Sequence, residues 1–319
     1  MAQQNRHYLI LGSTGSIGYA FAKEVLQQGE QVTLLVRDRK KAEKLFPVSA
    51  NLQFAEGDAQ HKELLQQLGA QATHIFHGIN YPYPKWQGNM QRVTVNVIDA
   101  AAVNKATILF PGNIYNYGLT REITETSPEA PNTRKGAIRA ELEQLLKQAA
   151  AGKCQVINVR LPDFWGPNVL NEGIAPVFRG ALHGKAMPWL YRNDIPHQLV
   201  YTPDAALAFY ELSKLPQPEP YALYNYAGEV VPSIKQWQAQ IAAMAGTKPT
   251  HKLYSKAMFS VLGLLMPMMK EISEMAYLWQ NTVLLRDDKL RQALPQLHRT
   301  PMPEAIQDTL QWFREYDAK

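Results

Sequence analysis

The chain has 319 residues, 46% hydrophobic and 19% charged, a balance that supports one or two packed domains and excludes a disordered chain. Its net charge of +5 comes without an aromatic-basic stripe, so an anionic small ligand is expected rather than nucleic acid. One cysteine, Cys154, excludes an internal disulfide and any metal site built on a cysteine cluster; it precedes an apolar run and reads as a buried, inert thiol.

The chain enters a strand pattern at His7 with no apolar leader, which points to a cytoplasmic protein. The longest apolar stretch, Met258 to Met269, is interrupted by Gly263 and Pro267. It falls short of the roughly 20 residues a bilayer span needs, so no membrane partner is expected.

Tyr8 to Leu11 is a short apolar run that reads as a buried parallel strand. Ile17, Phe21, Val25 and Leu26 recur at helical spacing, and Gly29 ends that helix. Val32–Val36 is a second strand, Lys40–Leu45 a short basic helix and Leu52–Phe54 a third strand. Gly57-Asp58 follows, then a helix through Leu68, a fourth strand at His74–His77 and a helix over Met90–Val103. Thr107–Phe110 is a fifth strand, Lys135–Ala151 a long helix and Gln155–Arg160 a sixth strand. Strand and helix thus alternate, and alternation of this kind predicts an α/β Rossmann fold, a doubly wound parallel sheet with helices on both faces.

Beyond Arg160 the pattern is less regular. A helix near Tyr201–Leu212, a connection at Leu215–Pro220, a strand at Tyr221–Tyr226 and a terminal helix at Pro303–Phe313 are expected. The resulting division is a Rossmann domain over 1–165, completed by about 197–230, a smaller discontinuous substrate domain from 166–196 and 231–302, and a terminal helix over 303–319. The run Met258, Met266, Met268, Met269 and Met275 suits an adaptable apolar wall over a substrate, or ordinary helix core.

The most informative motif is Gly12-Ser13-Thr14-Gly15-Ser16-Ile17-Gly18, placed between strand and helix. Gly12 permits a sharp turn, Gly15 lets backbone approach a pyrophosphate, and Gly18 lets helix and strand pack closely. The helix N-terminus then offers free N–H groups and partial positive charge to the phosphates. The second strand ends in Val36-Arg37-Asp38-Arg39-Lys40. Arg37 suits a 2′-phosphate, so NADP(H) is favoured; Asp38, one place later, leaves NAD(H) as the alternative. His74, His77, His183 and His197 show no paired spacing, so no metal is expected.

With this pattern, the Gly12–Gly18 turn resembles the extended and atypical branches of the short-chain dehydrogenase/reductase superfamily, which include sugar-nucleotide epimerases and dehydratases. The resemblance continues through Gly57-Asp58, Arg160-Leu161-Pro162-Asp163-Phe164-Trp165-Gly166-Pro167, Tyr201 to Ala206 and Tyr224 to Gly228. It implies a dinucleotide held by Gly12, Thr14, Gly15, Ser16, Ile17, Gly18, Arg37, Asp58, Ala59, His77, Gly78, Arg139, Pro162, Asp163 and Phe164.

The catalytic positions depart from that family, which uses a serine or threonine followed by Tyr-x-x-x-Lys. Aligned on Gly118, Asn113 takes the serine's place; on the long helix Lys135 takes the tyrosine's place and Arg139 the lysine's. Four residues apart, Lys135 and Arg139 share a helix face. Arg139 is expected to hold the nicotinamide ribose and, as a like charge, to lower the Lys135 pKa so that the amine exchanges protons. Asn113 would bond a substrate carbonyl; Tyr115 and Tyr83, on loops past the fifth and fourth strands, are substitute proton partners. Lys135 and Arg139 read equally well as plain phosphate or surface contacts. The functional expectation is an NADP(H)-dependent oxidoreductase or epimerase/dehydratase-like enzyme acting on a carbonyl or sugar-type small molecule. The alternative is an NADP(H)-binding regulator that acts through protein partners, and the pattern leaves a homodimer open.

Overall fold

A computed structural model describes residues 6–255, 258–259 and 267–318. Its main element is a seven-stranded sheet, every neighbouring pair parallel. The strands are β1 (His7–Leu11), β2 (Gln31–Val36), β3 (Leu52–Glu56), β4 (His74–His77), β5 (Thr107–Gly112), β7 (Val156–Arg160) and β11 (Tyr221–Asn225). They lie in the order β11-β7-β5-β4-β1-β2-β3. Order reverses between β1 and β4, and ligands of such sheets bind outside the carboxyl ends at that crevice.

Both faces of β1 are apolar, as its sequence demands. Tyr8 and Ile10 pack with Phe21 and Val25 of α1 (Ser16–Gln27) and Phe209 of α7 (Thr202–Lys214). Leu9 and Leu11 face the opposite layer, with Leu65 of α3 (Lys62–Gly69), Val93 and Val97 of α4 (Asn89–Asn104) and Leu142 and Leu146 of α5 (Arg134–Ala150). The short α2 (Arg39–Leu45) follows β2. The doubly wound architecture expected from the alternation is therefore the one observed. Cys154 is buried, and burial pushes its thiol up to about 11.

The remaining elements form smaller sheets. β10 (His197–Tyr201) pairs parallel with β8 (Asp163–Trp165) and antiparallel with β12 (Glu229–Val231). β9 (Met187–Leu190) pairs with β13 (His251–Tyr254), and β6 (Glu122–Ile123) with β14 (Leu284–Leu285). Helices α6 (Ala175–Leu182), α8 (Ile234–Ala245) and a terminal helix over Met302–Asp317 close a second core around Trp165, Phe178, Trp237 and Phe313. The stacked rings of Phe178 and Phe313, 5.6 Å apart, join the terminal helix to that core.

Apart from the terminal helix, the helices of this region lack a counterpart in the expected elements. Helix α8 buries Ile234, Trp237, Ile241 and Ala242, and Ser233 caps it by accepting the Gln236 N–H at 3.1 Å. Pro267 is the first described residue of a helix, α9 (Pro267–Glu274). Two short helices follow it, α10 (Tyr277–Gln280) and α11 (Asp288–Ala293). No helix among the described residues is long and apolar enough to cross a membrane.

Candidate active site

The glycine turn sits at the carboxyl end of β1, beside the crevice. Gly12 has φ +81°, and a Cβ there would lie 2.4 Å from the Gly78 carbonyl oxygen. A Cβ on Gly18 would lie 2.3 Å from the Gly12 carbonyl oxygen, so this pair is fixed by the packing of the fold itself. Gly15 differs: its φ is −95° and its nearest neighbour would be 3.3 Å away. Gly15 is the N-cap of α1, no side chain caps that helix, and no acidic residue occupies its first turn. The first N–H groups of α1, spanning Ser16, Ile17 and Gly18, are thus free for an anion. Ser13 Oγ, buried in the same turn, has no hydrogen-bond partner among the described residues. Asn168 of the later segment reaches the turn by donating to the Thr14 carbonyl at 3.3 Å.

At the end of β2, Arg37 and Asp38 are both exposed. Asp38 caps α2, accepting the Lys41 N–H at 3.0 Å, and Arg39 pairs with Glu43 at 2.7 Å. Asp38 therefore has a structural task that the sequence did not show, while Arg37 stays directed to solvent. The loop after β3 is tied down from within: Asp58 accepts the Gln60 N–H at 2.9 Å, and Asn96 of α4 donates to the carbonyls of buried Ala59 and of Gln60. Past β4, His77 is buried with Nε2 2.9 Å from the Thr94 hydroxyl. Burial first, and the Arg139 charge second, hold its imidazole down at about 3, so the ring is neutral at ordinary pH. Gly78 N–H donates to the Leu11 carbonyl at 3.0 Å, locking this loop to β1.

Helix α5 carries both basic residues expected at the reacting end. Arg139 is buried with its guanidinium 4.8 Å from the Trp86 ring centre and 5.8 Å from that of Phe110. Its Nε has no hydrogen-bond partner among the described residues, and the carboxylate one turn on, Glu143, is held by Arg160.

Lys135 departs from expectation. The charges in contact with it are two carboxylates, Glu271 and Glu274, instead of the Arg139 guanidinium. Nor is Lys135 a surface contact: it is 1% exposed, with Nζ 5.1 Å from the Tyr83 ring centre.

The two loop tyrosines meet. Tyr83 and Tyr115 place their hydroxyls 2.9 Å apart, and burial holds both phenols above their ordinary pKa. Asn113 accepts the Tyr115 N–H at 3.2 Å, which fixes the turn that carries this tyrosine. Pro162, Asp163 and Phe164 lie where β7 passes into β8. The Asp163 Oδ2 accepts the Trp279 Nε1–H at 3.0 Å and lies 2.9 Å from His197 Nε2. Glu271, Glu274, His197 and Trp279 are residues of the site that the sequence reading did not identify, because each meets its partner across a long stretch of chain. Ser13, by contrast, lies inside the glycine motif itself.

The methionine-rich segment is divided. Met258 and Met269 pack with Tyr191 and Phe259, and Met275 is buried with Ile114 and Tyr117. Met266 lies outside the described residues. Among the described residues, no group of three or more His, Cys, Asp or Glu is arranged to hold a metal.

A glycine turn at the switch point of a seven-stranded parallel sheet, with a long helix carrying Arg139 beside it, defines a Rossmann protein. Residues 8–225 match the model of the NAD dependent epimerase/dehydratase family, and the chain belongs to that family. No curated protein matches it significantly. Among solved structures, the Bordetella bronchiseptica enzyme WbmH in complex with NAD+ is 19% identical, with TM-score 0.77 over 98% of this chain and 99% of that one. The dTDP-glucose 4,6-dehydratase of Bacillus anthracis in complex with NAD is 16% identical, with TM-score 0.78 over 98% of each chain. The UDP-glucose 4-epimerase of Thermotoga maritima with UDP-glucose is 14% identical, with TM-score 0.76 over 97% of this chain and 99% of that one.

Proposed function

We propose that this protein binds a nicotinamide dinucleotide, NADP(H) in preference to NAD(H), and converts a carbonyl or sugar-type small molecule. The observation that carries the reading is Arg139. Among the described residues this buried guanidinium has no carboxylate partner, which is costly, and an anionic or polyhydroxyl ligand brought to it offsets that cost. Ser13 Oγ and His77 Nδ1 are further buried polar atoms without partners among the described residues on the same path, and the uncapped α1 receives phosphates. These residues fit a dinucleotide laid from Gly15 towards α5. The solved relatives described above carry NAD or a sugar nucleotide, which supports the ligand class.

The preference for NADP(H) is read from Arg37, which is exposed at the end of β2, together with the employment of Asp38 as a helix cap. When bound, the dinucleotide supplies hydride exchange. The chain's own residues supply position and a proton. Arg139 holds the ribose or phosphate; Asn113 fixes the turn that presents Tyr115. The hydrogen-bonded pair Tyr83 and Tyr115 carries the proton, since phenols raised above their ordinary pKa stay protonated at neutral pH and act as donors. Lys135, paired with two carboxylates, is the weaker candidate for that task. Titration with NADPH and NADH, followed by turnover assays on a panel of carbonyl compounds and sugar nucleotides, tests both halves. Dinucleotide binding without turnover on any substrate would favour the regulator reading.

A further inference from the structure

Helix α9 reaches across to the start of α5 and is held there by charge. Its Glu271 carboxylate accepts from both Arg134 and Lys135, and Glu274 accepts from Lys135 and from the backbone N–H of Arg134. The four groups come from segments more than 130 residues apart. Lys135 is almost wholly covered, whereas Arg134 beside it is exposed. The same helix touches the Tyr83–Lys85 turn, and Lys135 Nζ lies 5.1 Å from the Tyr83 ring centre. Burial raises the Glu271 carboxyl, and the hydrogen bonds from Lys135 and Arg134 outweigh it, leaving it below the usual range. Directly after α9, Met275 is fully buried against Ile114 and Tyr117, so the chain is anchored firmly at that end.

We propose that α9 is a lid, clasped over the tyrosine pair by Lys135 and Arg134 and hinged at Met275. Attachments made by ion pairs give back much of their Coulomb energy as desolvation, and salt weakens them once water enters. The lid therefore opens locally, without unfolding the sheet. Apolar contacts of Met269 and Ile272 with Tyr191 and Phe259 guide its return. That the lid covers a ligand rests on the function proposed above; that it opens does not.

The experiment needs no ligand. Amine acetylation of the full chain is followed residue by residue by mass spectrometry at low and high sodium chloride, with a maleimide reporting on Cys154, buried in the connection between α5 and β7. Local opening makes Lys135 react about tenfold faster at high salt while Cys154 stays silent and exposed Lys40 serves as the reference rate. The double substitution Glu271→Gln and Glu274→Gln should make Lys135 react quickly at both salt concentrations. Lys135 reacting only in step with Cys154, or at one rate whatever the salt and whatever the variant, overturns the lid. Because no dinucleotide is present, that result leaves the proposed function standing.

Discussion

Arg139 stacks over Trp86, guanidinium carbon to ring centre 4.8 Å, and the carboxylate one helical turn away belongs to Arg160 instead. The two arginines of this region have opposite circumstances. Arg160 is paired with Glu143 through Nε and Nη2, its Nη1 lacking a partner among the described residues, and lies over Tyr117; Arg139 has a stacking partner and no counter-ion among the described residues. A charge kept buried in this way suits a site that completes itself with a ligand.

Replacing Arg139 with methionine should separate binding from stability. The substitution removes a buried charge and leaves no carboxylate behind, so the melting temperature should hold or rise. NADPH affinity should fall by about tenfold to a hundredfold, the range that 1.5–3 kcal/mol for a charged hydrogen bond implies. Calorimetric titration and thermal melting of the same sample check both; a destabilised variant with unchanged affinity would make Arg139 a structural residue.

The three glycines of the turn should behave differently. Gly12→Ala and Gly18→Ala place a Cβ within 2.4 Å and 2.3 Å of backbone oxygens, and Gly12 also has positive φ, so both should lower stability markedly. At Gly15 the backbone is extended and the nearest contact 3.3 Å, so Gly15→Val should fold and yet lose dinucleotide binding. Circular dichroism confirms folding and titration reads the loss. Normal binding by folded Gly15→Val contradicts the pyrophosphate site.

Cofactor choice should follow Arg37. NADPH is expected to bind about tenfold more tightly than NADH, and Arg37→Ser should reduce that ratio towards unity. Asp38→Ala should instead cost about 0.5–2 kcal/mol of stability by uncapping α2. A preference for NADH that Asp38→Ala abolishes would transfer the choice to Asp38.

Stability should decline in mild acid. Burial holds His77 at about 3 and His74 at about 4, so the folded chain keeps both neutral while the unfolded chain protonates them below about 6.5. The unfolded state then binds more protons between the folded and unfolded pKa values. Their contribution is complete above pH 6.5 and is lost as pH falls towards 3 to 4, at roughly 1.4 kcal/mol per pH unit per histidine. Urea melts at pH 7, 6 and 5 check this. His77→Gln should show a shallower decline than the wild type; an equal decline would mean that His77 is not held neutral.

The nucleotide half was legible because its information is local. A buried strand, glycines at fixed spacing and a helix of 3.6-residue period lie consecutively, and β1 divides Tyr8 and Ile10 from Leu9 and Leu11 as a strand must. Helix α8 was not read: Ile234, Trp237 and Ile241 at helical spacing and the Ser233 cap mark it, but the sequence reading set the whole 231–302 stretch aside as irregular. The environment of Lys135 was not legible. Arg139 is four residues away and Glu271 is 136, and only the folded chain shows which of them the amine meets. The pairing of Tyr83 with Tyr115 across two loops was hidden for the same reason.

That pairing bears the final prediction, which concerns the proton. Tyr83 and Tyr115 share a hydrogen bond of 2.9 Å, and Arg139 acts on both phenols in the direction opposite to burial. Tyr115→Phe and Tyr83→Phe each remove one hydroxyl with little loss of volume. On a substrate that turns over, at least one should lower kcat by about a hundredfold or more, the usual worth of a general acid, with dinucleotide affinity unchanged. Lys135→Met removes the partner of Glu271 and Glu274, so it should lower thermal stability and disturb α9 while leaving part of the turnover. The opposite pattern, a stable Lys135→Met without turnover beside two active phenylalanine variants, would give the proton to Lys135. Rapid-quench measurement of single turnovers reads the chemical step directly, so slow product release cannot mask the difference.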